Sequence, residues 1–368
     1  MTLLAFAIVL FLAWSNGSND NFKGVATIYG SGTASYRVAL AWATVTTLAG
    51  SLLTLWLAAG LVKTFSAKGL VPDAVAASPA FLSAAALGAA LTVSAASRLG
   101  LPVSTTHSLT GALIGAGLAS GSGVNLAVLG KSFFIPLIGC PLLAIVITAV
   151  LYPLARFARL RLGITRDSYI RIEEDLVLVS ANSSGAAMAD ERVRLAIAGG
   201  AQPIDRYAGT LGGLSAQRAL DVLHFLSAGA VSFARGLNDT PKIVAILIGA
   251  KAVGVQPGLF SIGIAMALGG LLGARRVAET MAKKIVTLNS GQGLVANLTT
   301  AGLVIAASRA GLPVSTTHVA TGGLFGIGLI TGTARLRTIA SILLAWATTL
   351  PLGALLGAAA MLLQKRLG

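Results

Sequence analysis

Hydrophobic residues occupy most of this chain in long runs that short polar breaks separate. The runs are Leu3 to Trp14, Val38 to Val62, Phe81 to Ala96, Phe133 to Leu154, Ala219 to Ala234, Val253 to Leu272, Leu294 to Ala307 and Ile339 to Leu363. Several approach the roughly 20 residues that a helix needs to cross a bilayer. The pattern predicts an all-α integral membrane protein. Other runs are short or broken by Gly, Pro, Asn and Ser, which predicts broken helices and re-entrant hairpins covered by protein or water.

Composition supports this fold class. Apolar residues make up 55% of the chain, charged residues 11%, and there are 44 glycines, which is typical of helices that pack closely in bilayers. The net charge of +15 is interpreted as loop arginines facing a cytoplasmic leaflet, so we expect no nucleic-acid partner. Cys140 is the only cysteine, which excludes an intramolecular disulfide and a cysteine metal cluster.

Two sequence motifs occur twice and in the same order. AASRLGLPVSTTH at 95–107 returns as AASRAGLPVSTTH at 306–318, and GSND at 17–20 returns as GLND at 236–239. The chain is therefore a duplication. We predict an N-terminal transmembrane repeat at 1–155, a hydrophilic, cytoplasmic linker at 156–218 and a C-terminal transmembrane repeat at 219–368. The two repeats are expected to have inverted topology and to meet at a site near the middle of the membrane.

Acidic residues are rare outside the linker. Two of the five that remain, Asp20 and Asp239, belong to the repeated Asn-Asp pair. A charged group at membrane depth costs about 2.5 to 3.5 kcal/mol, so its presence in both repeats indicates function. A helix break is expected at each Asn-Asp pair. Together with Asn19, Asn238 and the carbonyl oxygens exposed at such a break, these carboxylates offer hard oxygen ligands suited to a small cation such as sodium.

The second motif predicts an anion site. Pro102 and Pro313 interrupt the preceding helix, and a new helix is expected to begin at Ser104 and Ser315, which are natural N-cap residues. The threonines that follow add hydroxyls and free backbone amides at the positive end of a helix dipole; they are Thr105, Thr106, Thr316 and Thr317. Two such helix starts facing each other would surround an oxyanion with neutral donors. An anion site beside a cation site predicts coupled transport.

The doubled GxND and GLPVSTTH motifs resemble those of the inorganic phosphate transporter family, called PiT, over both repeats and the linker. The resemblance implies a sodium- or proton-coupled phosphate symporter, with sodium favoured, that works by alternating access. It implies phosphate contacts from the hydroxyls and helix-start amides of Ser104 to Thr106 and Ser315 to Thr317, joined by Asp20 and Asp239. Cation contacts would come from Asn19, Asp20, Asn238 and Asp239. It also implies a plasma-membrane protein that can form a homodimer.

This sequence departs from the family at two kinds of position. Lys23 and Lys242 stand where the family has an asparagine, three residues after each aspartate. Each lysine either neutralises its own aspartate on one helix face or stands in for a bound cation and lowers the ion requirement. Asn297 lies where animal relatives carry a glutamate, which bears on the coupling stoichiometry.

Two histidines, His107 and His318, close the second motif. We favour hydrogen bonds from their rings to a backbone carbonyl over a role in proton relay. Arg235 is left open as an anion contact. Sulfate or another tetrahedral oxyanion is the alternative substrate, although a carboxylate facing the anion favours phosphate because phosphate keeps a proton to donate. A membrane-embedded phosphatase using Ser or Thr with His is a distant alternative, because no third orienting group repeats with the histidine; we expect no enzyme.

Overall fold

The computed structural model describes residues 2–170, 203–211, 213–250 and 253–367. The helices are α1 (Thr2–Asp20), α2 (Ala26–Gly30), α3 (Tyr36–Leu52), α4 (Thr54–Leu57), α5 (Ala59–Thr64), α6 (Asp73–Ala76), α7 (Pro79–Arg98), α8 (Thr105–Ser120), α9 (Leu126–Leu129), α10 (Ile135–Arg161), α11 (Ala216–Gly249), α12 (Val255–Gly273), α13 (Arg275–Glu279), α14 (Ser290–Arg309), α15 (Thr316–Thr331) and α16 (Leu336–Leu367). Two π-helical turns, Gly130–Phe134 and Thr280–Lys284, continue α9 and α13.

The described part of the predicted linker contains strands, which the all-α prediction did not include. Strand β1 (Thr165–Ile170) pairs with β2 (Pro203–Ala208), and β3 (Thr210–Leu211) pairs with β4 (Leu214–Ser215), both antiparallel. Helix α10 runs to Arg161, beyond the predicted start of the linker at 156, because its apolar and arginine-rich last turns continue the helix. Residues 171–202 of the linker lie outside the described residues.

Four helices in the described part of the chain are long and apolar enough to cross a membrane. They are Pro79–Arg98, Leu126–Arg161, Val255–Gly273 and Leu336–Arg366. Helix α1, which holds Asn19 and Asp20, and α11, which holds Asn238 and Asp239, carry these polar residues into the interior. The helical interior therefore contains a polar centre.

The two repeats interlock in a symmetric way. Helix α1 of the first repeat packs against α12 of the second, and α11 of the second packs against α3 of the first. In the same way, the pair α7 and α8 packs against α16, while the pair α14 and α15 packs against α10. Each repeat therefore buries its motif-bearing helices against helices of the other repeat.

Glycines allow these helices to cross at backbone distance. A Cβ atom on Gly17 would overlap the carbonyl oxygen of Met266, and one on Gly236, the matching residue of the other repeat, would overlap that of Thr47. The glycines after the second motif are arranged alike: Gly111 faces Leu350 in α16. Their role is close helix packing, as the sequence predicts, since only glycine leaves room for the neighbouring backbone.

The helix break predicted at both Asn-Asp pairs is present only in the first repeat. Helix α1 ends at Asp20, and Lys23 lies in the turns that precede α2. Helix α11 instead continues through Asp239 to Gly249 with Pro241 inside it, so the prediction is wrong for the second repeat. A proline removes one helical N–H, and in a membrane helix that loss is tolerated where neighbouring groups satisfy the freed backbone.

Candidate functional site

Helices α8 and α15 begin at the predicted residues. The hydroxyl of Ser104 accepts a hydrogen bond from the His107 amide at 3.1 Å, and that of Ser315 accepts one from the His318 amide at 3.2 Å. These bonds confirm both serines as N-caps. A glycine turns the chain before each helix: Gly100 has a φ of 68° and Gly311 a φ of 69°. The two threonine amides at each helix start remain available, because the first amides of a helix have no partner within it and the serine caps only the histidine amide.

Five charged side chains are buried together between these helix starts. Asp20, Lys23, Arg235, Asp239 and Lys242 are each at most 4% exposed. Three are cationic and two are anionic in their ordinary charge states. At this burial, bulk water does not screen the group, so each charge must be balanced by its neighbours or by a ligand.

The Lys23 ammonium lies inside a set of oxygens that we call the N-terminal cage. It pairs with the carboxylate of Asp20 and donates to the side-chain oxygen of Asn19, the carbonyl of Val103 and the hydroxyl of Thr317, the last three at 2.7 Å each. The first three residues belong to the first repeat, and Thr317 belongs to the second. The cage therefore joins the two repeats.

The Lys242 ammonium lies in the matching C-terminal cage. It donates to the carboxylate of Asp239 at 3.1 Å, the carbonyl of Val314 at 3.0 Å and the hydroxyl of Thr106 at 2.6 Å. Here the threonine comes from the first repeat and the other two groups from the second. Apart from the contact of Lys23 with Asn19, these contacts repeat those of Lys23 with the repeats exchanged. Each lysine pairs with its own aspartate, although only Lys242 does so along a continuous helix.

The threonine hydroxyls also link the repeats directly. Thr106 donates to the carbonyl of Val314 at 3.2 Å, and Thr317 donates to that of Val103 at 2.8 Å. The two helix starts therefore lie next to each other. Thr105 donates to the Asp20 carboxylate at 3.1 Å, whereas its counterpart Thr316 is buried beside Thr317.

The asparagines of the two pairs hold the loop before each helix start. Asn19 donates to the carbonyl of Leu101 at 3.0 Å, and Asn238 donates to that of Val314 at 3.1 Å. Because each asparagine lies next to its aspartate, the same contacts fix the carboxylates against the helix starts. Both predicted motifs therefore meet in one cluster.

Asn16 and Arg235 join the cluster; the sequence leaves Arg235 open as an anion contact and does not predict Asn16. Asn16 donates to Asp20 at 2.9 Å and to Asp239 at 3.2 Å, so it bridges the two carboxylates. Arg235 donates to the side-chain oxygen of Asn16 at 2.6 Å, and its Nε lies 3.6 Å from the Asp239 carboxylate. Each residue lies four positions before its aspartate. Aligning the repeats on Asp20 and Asp239 would have revealed this pair.

The two histidines lie against each other beside the helix starts. The ring centroids of His107 and His318 are 4.4 Å apart, and His318 stacks on Trp346 at 3.7 Å. The Nδ1 of His107 and the Nε2 of His318 are buried without a hydrogen-bond partner in the described residues. This ring stacking was not predicted from the sequence.

Asn297 lies apart from the lysine cages. It accepts a hydrogen bond from Thr27 at 3.0 Å and donates to Ser227 at 3.2 Å. A small pocket connects this region to Lys23; its lining residues are Lys23, Thr27, Val231, Ala296, Asn297, Thr300, Ala320 and Leu324. Asn297 is therefore a lining residue of this pocket and not a member of the central cluster.

Known proteins resemble this chain along nearly its whole length. The chloroplastic inorganic phosphate transporter 2-1 of Arabidopsis thaliana is 29% identical, over 96% of this chain and 71% of its own. A probable low-affinity inorganic phosphate transporter of Mycobacterium tuberculosis is 28% identical, over 97% of this chain and 76% of its own. Among solved structures, one described as the sodium-dependent phosphate transporter matches with a TM-score of 0.76 at 22% identity, covering 100% of this chain and 99% of its own.

These similarities agree with the mostly helical fold and the apolar helices of an integral membrane protein. The related proteins are transporters and not enzymes, which confirms the expectation that this chain is not an enzyme. The model of the phosphate transporter family matches residues 16–357, a range that contains both copies of each motif and the whole buried cluster. The chain belongs to the phosphate transporter family.

Proposed function

We propose that this chain carries inorganic phosphate across the membrane, and that phosphate binds between the starts of α8 and α15. One observation supports this most directly. Two helix N-termini meet at a buried cluster in which cationic side chains outnumber carboxylates. Helix N-termini attract anions through their free amides and dipole, and an excess of buried cations adds to that attraction.

The donors that would bind phosphate are the hydroxyls and first-turn amides of Ser104 to Thr106 and Ser315 to Thr317. Thr106 and Thr317 already contact lysines, so a phosphate that reaches these hydroxyls also comes close to two ammonium groups. Asp20 and Asp239 accept bonds from Asn16, Thr105 and Lys242. A phosphate oxygen that still carries a proton can replace one of these donors, whereas sulfate at neutral pH carries none.

The two cages are related by exchange of the repeats, since each lysine contacts a threonine of the other repeat. This arrangement supports alternating access. Inverted repeats allow one half of a transporter to rock against the other around a fixed central site. In this chain the central site consists of contacts between repeats, such as Thr317 with Val103 and Thr106 with Val314. We propose that these contacts form and break in turn as the site opens to each side of the plasma membrane. A homodimer stays a prediction from the family resemblance.

The coupled cation is a separate question. The sequence favours sodium, with the proton as the second candidate, and the similar solved structure is described as sodium-dependent. The oxygens suited to sodium here already contact two lysine ammonium groups. The phosphate proposal therefore rests on the hydroxyls and helix starts and does not depend on sodium.

The test is uptake of radiolabelled phosphate into proteoliposomes that hold the purified protein, with empty liposomes as the blank. A sodium gradient, a proton gradient or neither is imposed, and sulfate is added as a competitor. We expect saturable phosphate uptake that sulfate does not reduce. The variant Thr106→Val with Thr317→Val should lose uptake, whereas the exposed control Thr348→Val should keep it. Equal competition by sulfate would move the proposal to a general oxyanion transporter, and no uptake under any gradient would reject it.

A further inference from the structure

The N-terminal cage has the ligands of a cation site. Its oxygens come from a carboxylate, a side-chain amide, a backbone carbonyl and a hydroxyl, and all four converge on one point. Such oxygens are the ligands that hard cations prefer. In this chain the nitrogen of Lys23 occupies that point. The donor set therefore fits a cation, and the protein supplies the cation itself.

The C-terminal cage repeats this arrangement with a different lysine. A carboxylate, a backbone carbonyl and a hydroxyl converge on the nitrogen of Lys242 at distances between 2.6 and 3.1 Å. Two lysines that the duplication did not relate would not each contact a carboxylate, a backbone carbonyl and a hydroxyl of the other repeat. The duplication placed an ammonium group in both cages, and each one bridges the two repeats.

A lysine in a cage competes with sodium for the same oxygens. The ammonium group is attached to the chain, so it does not diffuse away when the site opens to water. A sodium ion that entered the N-terminal cage would have to displace Lys23 from Asp20 while both positive charges stay buried. Like charges at such short distance and low dielectric repel strongly, so the filled cage disfavours sodium.

The fixed cations can also balance the charge of phosphate. Lys23, Lys242 and Arg235 face only two carboxylates in the cluster, and the Nε of Arg235 is buried without a hydrogen-bond partner in the described residues. An anion that enters a low-dielectric site needs a compensating positive charge. In a sodium-coupled carrier that charge arrives with the ion. Here an excess of positive charge is built into the protein.

We propose that Lys23 and Lys242 act as tethered replacements for two coupled sodium ions, so that this chain moves phosphate without sodium. The inference rests on the proposed phosphate function, and it names the charge that accompanies the anion. It explains why the two ammonium groups have equivalent partners in both repeats. It also predicts that vacating the cages creates sodium sites, because the oxygen ligands stay in place.

The first experiment measures sodium binding without transport. The thermal unfolding midpoint of the full chain in detergent is compared in sodium chloride and in choline chloride at equal ionic strength. We expect no sodium-specific shift for the wild-type protein. The double variant Lys23→Asn with Lys242→Asn, in which a shorter side chain leaves the cage centres free, should be stabilised by sodium, with a rise of about 2 °C or more. Lys365→Asn is the matched control, since Lys365 is exposed and donates to two carbonyls away from the cages.

A sodium-specific rise for the wild-type protein would overturn the proposal, as would a double variant that gains none. If the double variant does not fold, the single variant Lys242→Asn is measured in the same way. The second experiment compares wild-type phosphate uptake in sodium and in choline at the same pH on both sides, with phosphate as the only gradient. Equal rates support the proposal, and a faster rate in sodium rejects it. A wild-type protein that moves no phosphate in either salt rejects the proposed function, while the thermal experiment still decides the role of the lysines.

Discussion

The two lysine cages are nearly symmetric, whereas the residues four positions before the aspartates are not. Lys23 and Lys242 each contact their own aspartate, a backbone carbonyl and a threonine of the other repeat. Four residues before its aspartate, the first repeat has the neutral Asn16 and the second has the cationic Arg235. Duplication therefore accounts for the cages, and the excess positive charge comes from the second repeat alone.

The backbone differs at the same place. Helix α1 ends at Asp20, so Lys23 reaches its cage from a turn, whereas α11 continues past Asp239 and holds Lys242 on a helix. Pro241 leaves this helix one backbone hydrogen bond short at the residue before Lys242, yet the helix stays continuous. With Arg235 where the first repeat has Asn16, the C-terminal half is the more highly charged side of the cluster.

The largest expected difference between the halves concerns the two carboxylates. Asp239 lies 3.1 Å from the Lys242 ammonium and 3.6 Å from Arg235, whereas among the described residues Asp20 forms an ion pair with Lys23 alone. Removing one partner of a buried ion pair costs about 3–5 kcal/mol. We expect Asp239→Asn to lose a free energy of unfolding in this range and Asp20→Asn to lose less. Chemical denaturation in detergent measures both free energies of unfolding. Equal losses would show that the contact of Arg235 with Asp239 adds no stability.

The next effect should be equal in the two halves. Gly17→Ala and Gly236→Ala each place a methyl group on a neighbouring backbone carbonyl, so both should lower the free energy of unfolding by about 1–3 kcal/mol. Gly302→Ala is the control, since its Cβ would meet no atom within 4 Å and alanine favours the helix. A loss for Gly302→Ala similar to the other two would mean that helix crossing is not the cause. A loss at only one of the two crossings would mean that the repeats do not pack equivalently.

The repeated motifs predicted two structural features that the structure confirms, the helix starts and the burial of the aspartates. The helix starts at Ser104 and Ser315 follow from local rules, because a proline ends one helix and a serine caps the next. The burial of Asp20 and Asp239 follows from their place beside apolar runs. Local sequence was sufficient here because each feature depends on residues close together in the chain.

Contacts between the repeats were beyond the same reasoning. Lys23 and Thr317 are far apart in sequence, and a repeat does not tell which copy of a motif a lysine will contact. The i+3 spacing suggested the pairing of Lys23 with Asp20, but not the carbonyl and hydroxyl that complete its cage. The continuous helix at Asp239 was also missed, because a polar Asn-Asp pair beside an apolar run suggests a break and only tertiary packing decides whether the helix continues.

The smallest expected effect tests whether the asymmetry matters for phosphate. Arg235→Gln removes the cation that the first repeat lacks, while keeping a side chain that can hydrogen-bond Asn16. We expect the phosphate Kd to rise about tenfold, which equals about 1.4 kcal/mol, and we expect a smaller rise for Asn16→Ala, which removes no charge. Calorimetric titration of phosphate into the purified protein measures both.

Because Arg235 is 1% exposed, salt should not screen its attraction for the anion, and the tenfold difference should persist at high ionic strength. An effect that disappears in salt would assign the attraction to surface charges, and an equal rise for both variants would assign it to the shared hydrogen bond between Asn16 and Arg235 instead of the charge.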